Sequence, residues 1–461
     1  MRTPSVAIIG GGASGTLVAI HLLRLARTPI DVTLIDRHGR HALGQAYATT
    51  DPRHLLNTRA DRMSALEDDP GHFVRWARAT GLAVDGSDYL PRALYGRYLR
   101  ETLAAAEDPP SRSVHRVTGT VVGLDRDDTV VRLADGRRVE ADAVVLALGN
   151  RAPAPVPGLV THPRHVADPW AAGALAGIRD GAPVLVLGTG LTMVDVALTL
   201  TRAHPDTVVH AMSRHALLPR THPARPATPV EVPVPEGPLR VADLLRATRR
   251  ALRANGADWH DVVDGLRPHA QAFWTRLPTA ERRLFLRRVA RYWEIHRHRI
   301  PPASAAAVAG LRASGRLRLL RGSLLSAAPA ADRLRVRADV DGAVTEFDVG
   351  WLVNATGPAP DVTADPFLAG LVAAGTVRPD SLRFGLDTDG QGALLDATGQ
   401  PSDRMFTLGP LLRGSLYETT AVPEIRAQAA ALAPLLLRAV RRPEGATGRT
   451  AGATLERPAG R

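Results

Sequence analysis

Apolar positions along the chain fall into two blocks that repeat one order of patterns. The first block opens on a short β-branched run, Ser5–Ile9, then an apolar helical stretch through Leu17, Ile20, Leu23 and Leu25, then a second strand over Asp31–Ile35. The alternating segments VHRVTGTVVGL and TVVRLADGRRVEA predict a meander, and DAVVLALGN predicts a closing strand that ends at Leu148-Gly149. The second block begins at PVLVLGTGLTMVD and continues through a strand over Thr207–Met212. It then runs through RLLRGSLLSAA, the hairpin RLRVRADVDGAVTEFDV and the strand WLVNATGP, which ends at Thr356-Gly357. Each block is thus β-α-β, a three-strand meander and a final strand. The duplication predicts two doubly wound α/β domains, one inserted into the other.

The turns that open the blocks carry the chemistry. Gly10, Gly12 and Gly15 stand in the G-x-G-x-x-G spacing, and Asp36 ends the next strand, 36 − 15 = 21 residues beyond Gly15. Glycines there allow a tight turn and close backbone approach, the exposed helix N-terminus receives a pyrophosphate, and the acid accepts hydrogen bonds from a ribose. The second turn has Gly188, Gly190 and Thr192, but Met193 where a third glycine would fall, and the following strand ends at Ser213-Arg214 in place of an acid. Serine and arginine suit the extra phosphate of NADPH, with Arg220 as a second candidate. The expected fold is therefore α/β, with two dinucleotide-binding (Rossmann-like) domains: 1–155 with 358–440 for the first, and 156–357 inserted for the second.

Two segments depart from the repeat. THPARPATPVEVPVPEG, between Pro219 and Pro238, is dense in proline and reads as an extended connection. A helical pattern follows over about 239–302 and holds Trp259, Trp274 and Trp293, too much aromatic surface for a linker. It predicts a small helical insert packed over the second domain. The tail over 441–461 is rich in Arg, Gly and Pro and is expected to be disordered.

Composition narrows the function classes. With no cysteine, disulfides, thiolate metal sites and redox-active dithiols are excluded. The sequence also lacks lysine, so all 58 basic side chains are arginines and lysine Schiff-base chemistry is excluded. No metal site is expected. The net charge of +12 raises nucleic acid as a partner, but no basic block is interleaved with aromatics as a strand-binding groove needs. No apolar run approaches the roughly 20 residues of a membrane helix. The N-terminus enters a strand at once, so no signal segment is expected and a cytoplasmic location is the default.

The segments GQAYATTDPRHLLNTRADRMSAL, YLPRALYGRYLRETL, GTGLTMVDVALTL, SRHALLPRTH, YWEIHRHRIPP and LGPLLRGSLYETTAVPEIRAQ together resemble bacterial FAD/NAD(P)-binding proteins grouped with FAD-dependent urate hydroxylase and aspartate N-monooxygenase. The resemblance runs from about residue 5 to about 435, and the wider architecture is similar to flavin-containing monooxygenases. It implies bound FAD, NADPH as reductant, and insertion of oxygen from O2 through a flavin C4a-hydroperoxide into a small anionic substrate, amino-acid-like or purine-like. On the resemblance, Gly10, Gly12, Ser14 and Gly15 face the FAD pyrophosphate and Asp36 its ribose. Backbone near Thr120 and Val121 meets the adenine, and Gly149 and Gly409 border the cofactor at strand ends. A helix opened by Pro423 aims its N-terminus at the flavin. Asn57 is a candidate group beside the flavin or substrate, Arg59, Arg413 and the segment His296–Arg299 are candidates for an anionic substrate, and His298 is a candidate proton relay. Two other readings stand beside this one: an FAD/NAD(P)H oxidoreductase without oxygen insertion, and a nucleotide-binding protein without turnover.

Overall fold

The computed structural model describes residues 2–108, 112–125, 128–159, 161–178, 181–225, 228–254, 256 and 258–441. The tail expected to be disordered lies, beyond Arg441, outside the described residues. Strands β1 (Ser5–Ile9), β2 (Ile30–Asp36) and β3 (Arg112–Thr118) run parallel. Strands β4 (Val121–Asp125), β5 (Val130–Leu133) and β6 (Arg138–Glu140) form a separate antiparallel sheet, and β7 (Ala143–Leu146) returns parallel to β1.

The second block begins with β8 (His165–Val166), β9 (Val184–Leu187) and β10 (Val209–Ser213). It continues with β11 (Leu317–Ala330), β12 (Arg333–Val340), β13 (Ala343–Val349) and β14 (Trp351–Asn354). Their order across the sheet is β13-β12-β11-β10-β9-β14-β8. The chain then returns to the first sheet with β15 (Ala393–Leu395) and β16 (Pro401–Thr407), giving the order β15-β16-β7-β1-β2-β3. One continuous strand, β11, pairs parallel with β10 up to Arg321 and antiparallel with β12 from Gly322. In the first block the same path is broken after Thr118 into β3 and β4, where the Gly119 N–H turns back to the Asp36 carbonyl at 3.1 Å.

The two glycine turns sit in matching strand-end cradles. Gly10 N–H donates to the Ile35 carbonyl at 2.9 Å and Ala147 N–H to Ile9 at 2.8 Å; Gly188 N–H donates to Met212 at 2.7 Å and Ala355 N–H to Leu187 at 2.8 Å. A Cβ on Gly10 would lie 2.2 Å from the Ala147 oxygen, and one on Gly188 2.3 Å from that of Ala355. Their φ angles, 114° and 106°, lie where only glycine is unstrained.

Helix packing separates the two turns. The helix Ala13–Leu25 is wedged between the first sheet and the helix Val422–Ala439, burying Leu17, Ile20, Leu22 and Leu23 with Ile425, Leu432 and Leu436. Each such side chain contributes about 1.5–3 kcal/mol. Gly15 is needed here, since a Cβ would sit 2.0 Å from the Gly10 carbonyl oxygen. At the corresponding step Met193 is fully buried in the core of the second sheet, so a side chain takes the place of a backbone contact.

The chain crosses between the sheets twice, side by side: Pro153 bridges Pro358, and Ala359 N–H donates to Ala152 at 3.0 Å. A second contact is polar and buried. Arg92, at the start of the helix Arg92–Ala106, forks onto Asp195 of the helix Leu191–Ala203 at 2.7 and 3.3 Å. His54 adds a contact from its Nε2 to the Asp195 carbonyl at 3.1 Å, and Thr199 donates to Asp51 at 3.2 Å.

The insert forms the helices Val241–Ala254, Trp259–Leu266, Ala270–Arg276, Thr279–Arg288 and Ala290–Arg297. It does not pack mainly over the second sheet, as its pattern suggested. Trp274 is buried against Tyr417, with rings 4.5 Å apart, and donates to the Gly414 carbonyl at 2.8 Å; Trp293 donates to Glu418 at 2.9 Å. The apolar faces of these helices therefore find their partner in the returning C-terminal segment. Among the described residues no helix is long and apolar enough to cross a membrane.

Candidate active site

The first turn leaves backbone room and a placed carboxylate. Asp36 Oδ1 accepts from the N–H groups of His38 and Arg40, both at 2.9 Å, which leaves Oδ2 toward Gly11. The loop after β2 folds back over the turn: Ala42 N–H donates to Gly11 at 2.7 Å, and Gly44 lies against Gly12. Ser14 is buried, and a Cβ on Gly409 would meet its Oγ at 3.2 Å, so two expected cofactor positions from opposite ends of the chain come together. Gly409, with φ 72°, is held by Gln428 on its N–H at 2.8 Å and by Thr419 on its carbonyl at 3.0 Å. Beside it begins the helix Val422–Ala439, whose first N–H groups have no side-chain cap. Gly149, with φ 68°, faces open space. Thr120 and Val121 are partly committed, since the Thr120 carbonyl accepts from Ala134 at 2.8 Å and Val121 pairs with Leu133.

Asn57 lies on the loop after the bridge at Leu55. Its carbonyl pairs with His222 Nε2 at 2.9 Å, and its side-chain amide makes no hydrogen bond among the described residues. His222 also packs on Tyr89, with ring centroids 4.8 Å apart. Burial lowers its pKa to about 4, against a raising contribution from the Asn57 carbonyl, so the ring is neutral and donates. Arg59 pairs with Asp61 at 3.1 Å while its Nε is buried without a partner.

The remaining candidates meet on a carboxylate that sequence reading passed over. Arg413 reaches Glu294 Oε1 at 3.1 Å, Tyr417 donates to the same oxygen at 3.0 Å, and His298 meets Oε2 at 2.9 Å. Burial opposes ionisation of Glu294, yet the facing His298 and Arg413 and the Tyr417 hydroxyl outweigh it and lower its pKa to about 2. Burial pushes the Tyr417 phenol well above its ordinary value, so it stays a neutral donor. Tyr417 has φ 61° and ψ −64°, and the N–H of Glu418 donates to Leu416 at 2.8 Å. That is the rare positive-φ γ-turn, a conformation costing about 1–3 kcal/mol that the surrounding contacts must hold.

The other candidate arginines are also engaged. Arg297 meets Glu418 at 3.0 Å and Glu424 at 3.3 Å, and Arg299 forks onto Asp264 at 2.8 and 3.1 Å. His296 pairs with the Tyr292 carbonyl at 2.7 Å. The expected cluster of arginines free for an anion is thus mostly an ion-paired layer between the insert and the C-terminal segment. Arg59 and Arg297 each keep a buried Nε without a partner.

At the second turn Gly190 begins the helix Leu191–Ala203, and a Cβ there would meet nothing within 4 Å. Thr192 lies in that first turn and is partly exposed. Thr189 Oγ1 meets Ser213 Oγ at 2.8 Å and donates to Leu217 at 2.6 Å, tying the end of β10 to the glycine turn. Arg214 is exposed at that end and makes no hydrogen bond or ion pair among the described residues, whereas the backbone of Arg220 pairs with Ile295 and Ile300. No group of three or more His, Cys, Asp or Glu among the described residues could hold a metal ion.

Residues 7–151 match the family model described as FAD-NAD(P)-binding. An L-aspartate N-monooxygenase (nitrosuccinate-forming) from Streptomyces davaonensis is 29% identical over 275 residues, covering 47% of this chain and 42% of that protein. The matched part therefore spans under half the length of that relative. Among solved structures, L-lysine 6-monooxygenase from Pseudomonas syringae superposes with a TM-score of 0.65 at 17% identity, over 95% of this chain and 100% of that one. The ornithine N-hydroxylase of Kutzneria sp. 744, solved with reduced FAD, NADP+ and L-ornithine, gives 0.60 at 17% identity, over 95% and 99%. The resemblance carried by the motifs is supported: the chain is similar to the FAD/NAD(P)-binding proteins of the aspartate N-monooxygenase-like family, with an FAD-NAD(P)-binding domain at residues 7–151 and the fold of flavin-dependent N-monooxygenases.

Proposed function

We propose that the protein is an FAD- and NADPH-dependent monooxygenase that adds oxygen to the nitrogen of a small anionic, amino-acid-like amine, in the cytoplasm. In this reading residues 1–155 with 358–440 hold FAD, and 156–357 hold NADPH. One observation carries it: two glycine turns in matching strand-end cradles, one followed by a carboxylate and the other by an unpaired arginine. Similarity to proteins named as amine N-monooxygenases favours nitrogen over carbon as the oxygen acceptor.

When bound, FAD reduced by NADPH supplies the activation of dioxygen. The chain's own groups then have limited tasks. Gly10, Gly12 and Gly15 clear backbone space for the pyrophosphate, while Ser14 lies beside Gly409, and Asp36 Oδ2 accepts from the ribose. The uncapped N–H groups that begin the helix at Val422 favour negative charge next to them. Asn57 and Arg59, on one loop, offer the substrate a side-chain amide without a hydrogen bond and a guanidinium that Asp61 engages at Nη2. Arg413 and His298 act through Glu294, as holders of the segment around Tyr417. Gly188, Gly190, Thr192 and Arg214 receive NADPH.

The test is a stopped-flow reduction of the FAD-loaded protein. NADPH should reduce the flavin at least tenfold more efficiently than NADH, and Arg214→Ala should remove that preference. A protein that takes up no FAD, or that NADPH does not reduce, would sink the proposal. Arg59→Met should raise the KM of an amine substrate without slowing flavin reduction; an unchanged KM would remove Arg59 from the site.

A further inference from the structure

Three cationic side chains and two rings gather at the carboxyl end of β10, and only two of them come from β10 and its turn. Arg214 is exposed there without a hydrogen-bond partner among the described residues. His215, next to it, meets Arg291 of the insert: the Arg291 Nη1 donates to His215 Nε2 at 2.5 Å, which requires a neutral imidazole with its proton on Nδ1. Burial first, then Arg291, Arg214 and Arg321, lower the pKa of His215. Arg321 stands on β11 in register with Ser213 and pairs with Asp341 at 3.1 Å.

The insert places the rest. Arg291 Nη2 donates to the carbonyls of Arg287 and Arg288 at 2.7 and 3.2 Å, which pins the side chain across the end of the preceding helix. Its Nε is buried and has no partner. The guanidinium also lies 5.5 Å from the centre of the Tyr292 ring, and that ring is 49% exposed and 6.4 Å from His215. Tyr292 is thus a large aromatic face left in water beside a rigidly held guanidinium whose Nη1 has one N–H beyond the bond to His215. Like charges so placed repel, and an anion between them turns the repulsion into attraction.

We propose that Arg291 and Tyr292, carried by the helical insert, complete the NADPH site by holding the adenosine 2′-phosphate against Arg214. Arg291 supplies a second guanidinium for the phosphate, and Tyr292 offers its ring face to the adenine. The insert then selects NADPH over NADH in addition to binding the C-terminal segment. The inference rests on the reading of the second turn as the NADPH site.

Calorimetric titration of the FAD-loaded protein with adenosine 2′,5′-bisphosphate and with 5′-AMP tests both statements without turnover. Wild type should bind the bisphosphate more tightly. Arg291→Met should reduce that preference about ten- to hundredfold, the worth of a charge-assisted contact, and leave 5′-AMP affinity as it was. Arg291→Lys should restore part of it. Tyr292→Ala should weaken both probes alike, whereas Tyr292→Phe should weaken neither. A wild-type ratio retained in Arg291→Met would overturn the proposal while leaving the NADPH reading in place, and equal loss of both probes in that variant would assign Arg291 to folding alone and overturn it too. If wild type itself does not distinguish the probes, the NADPH reading fails and the proposal with it.

Discussion

Substituting Asp195 by alanine should both weaken the fold and slow the delivery of electrons. Arg92 and Asp195 have side chains only 12% and 7% exposed, and their two contacts at 2.7 and 3.3 Å tie the first-domain helix Arg92–Ala106 to the second-domain helix Leu191–Ala203. Without the carboxylate, the Arg92 guanidinium keeps one carbonyl partner, Leu55 at 3.0 Å, and stays largely out of water. Breaking a buried pair from one side costs about 3–5 kcal/mol, most of it the uncompensated charge left behind. Replacing both partners, as Arg92→Met with Asp195→Leu, should recover most of that loss, because two apolar groups need no partner. Urea unfolding of wild type, Asp195→Leu, Arg92→Met and the double variant at fixed FAD concentration gives the double-mutant cycle, with an expected coupling of at least about 2 kcal/mol. The helix that Asp195 anchors begins at the second glycine turn, so reduction by NADPH should slow in Asp195→Ala and return in the double variant. A loss below about 1 kcal/mol, with coupling near zero, would refute the view of this pair as the buried clamp between the domains.

Other variants address single features. His222 titrates near its ordinary 6.5 when unfolded and near 4 when folded, so the unfolded chain binds the proton first and stability should fall as pH drops from about 6.5 to about 4. The change should be about 3 kcal/mol, and His222→Gln should flatten that part of the urea-midpoint profile. Glu294, held at about 2, contributes stability above its ordinary carboxylate range that is lost as pH falls through that value; Glu294→Gln should lower the melting temperature at neutral pH and remove the corresponding acid slope. Gly10→Ala should prevent soluble FAD-loaded protein, because its Cβ meets a carbonyl oxygen at 2.2 Å in a strained φ. Gly190→Ala should leave the melting temperature nearly unchanged, since nothing lies within 4 Å, but raise the NADPH dissociation constant at least tenfold by filling space at the turn.

The repeated framework was legible because it is local. Gly10 and Gly188 each follow a short apolar strand, and the same spacing and periodicity that mark the turns also produce the cradles against Ala147 and Ala355. Even Met193 announced its difference, and it is a core side chain. What escaped was long-range pairing. Glu294 and His298 are one helical turn apart, a spacing that by itself marks no site; Arg413, 119 residues away, turns the carboxylate into the hub of a cluster. The Arg92–Asp195 pair spans 103 residues and carries no local pattern. The insert was expected on the second domain because of its place in the chain, yet Trp274 and Trp293 found their partners beyond residue 413. One usable hint did exist: three tryptophans in a charged, helical segment need an apolar partner from elsewhere.

Product analysis under labelled oxygen tests the central claim most directly. The FAD-loaded protein, NADPH and ¹⁸O₂ are incubated with a panel of small anionic amines, and mass spectrometry follows label in the product while NADPH consumption and hydrogen peroxide are measured alongside. The account predicts one ¹⁸O atom on the nitrogen of at least one amine, with NADPH oxidation coupled to that product and little peroxide. Quantitative conversion of the oxygen to peroxide with every amine, and no labelled nitrogen product, would contradict it.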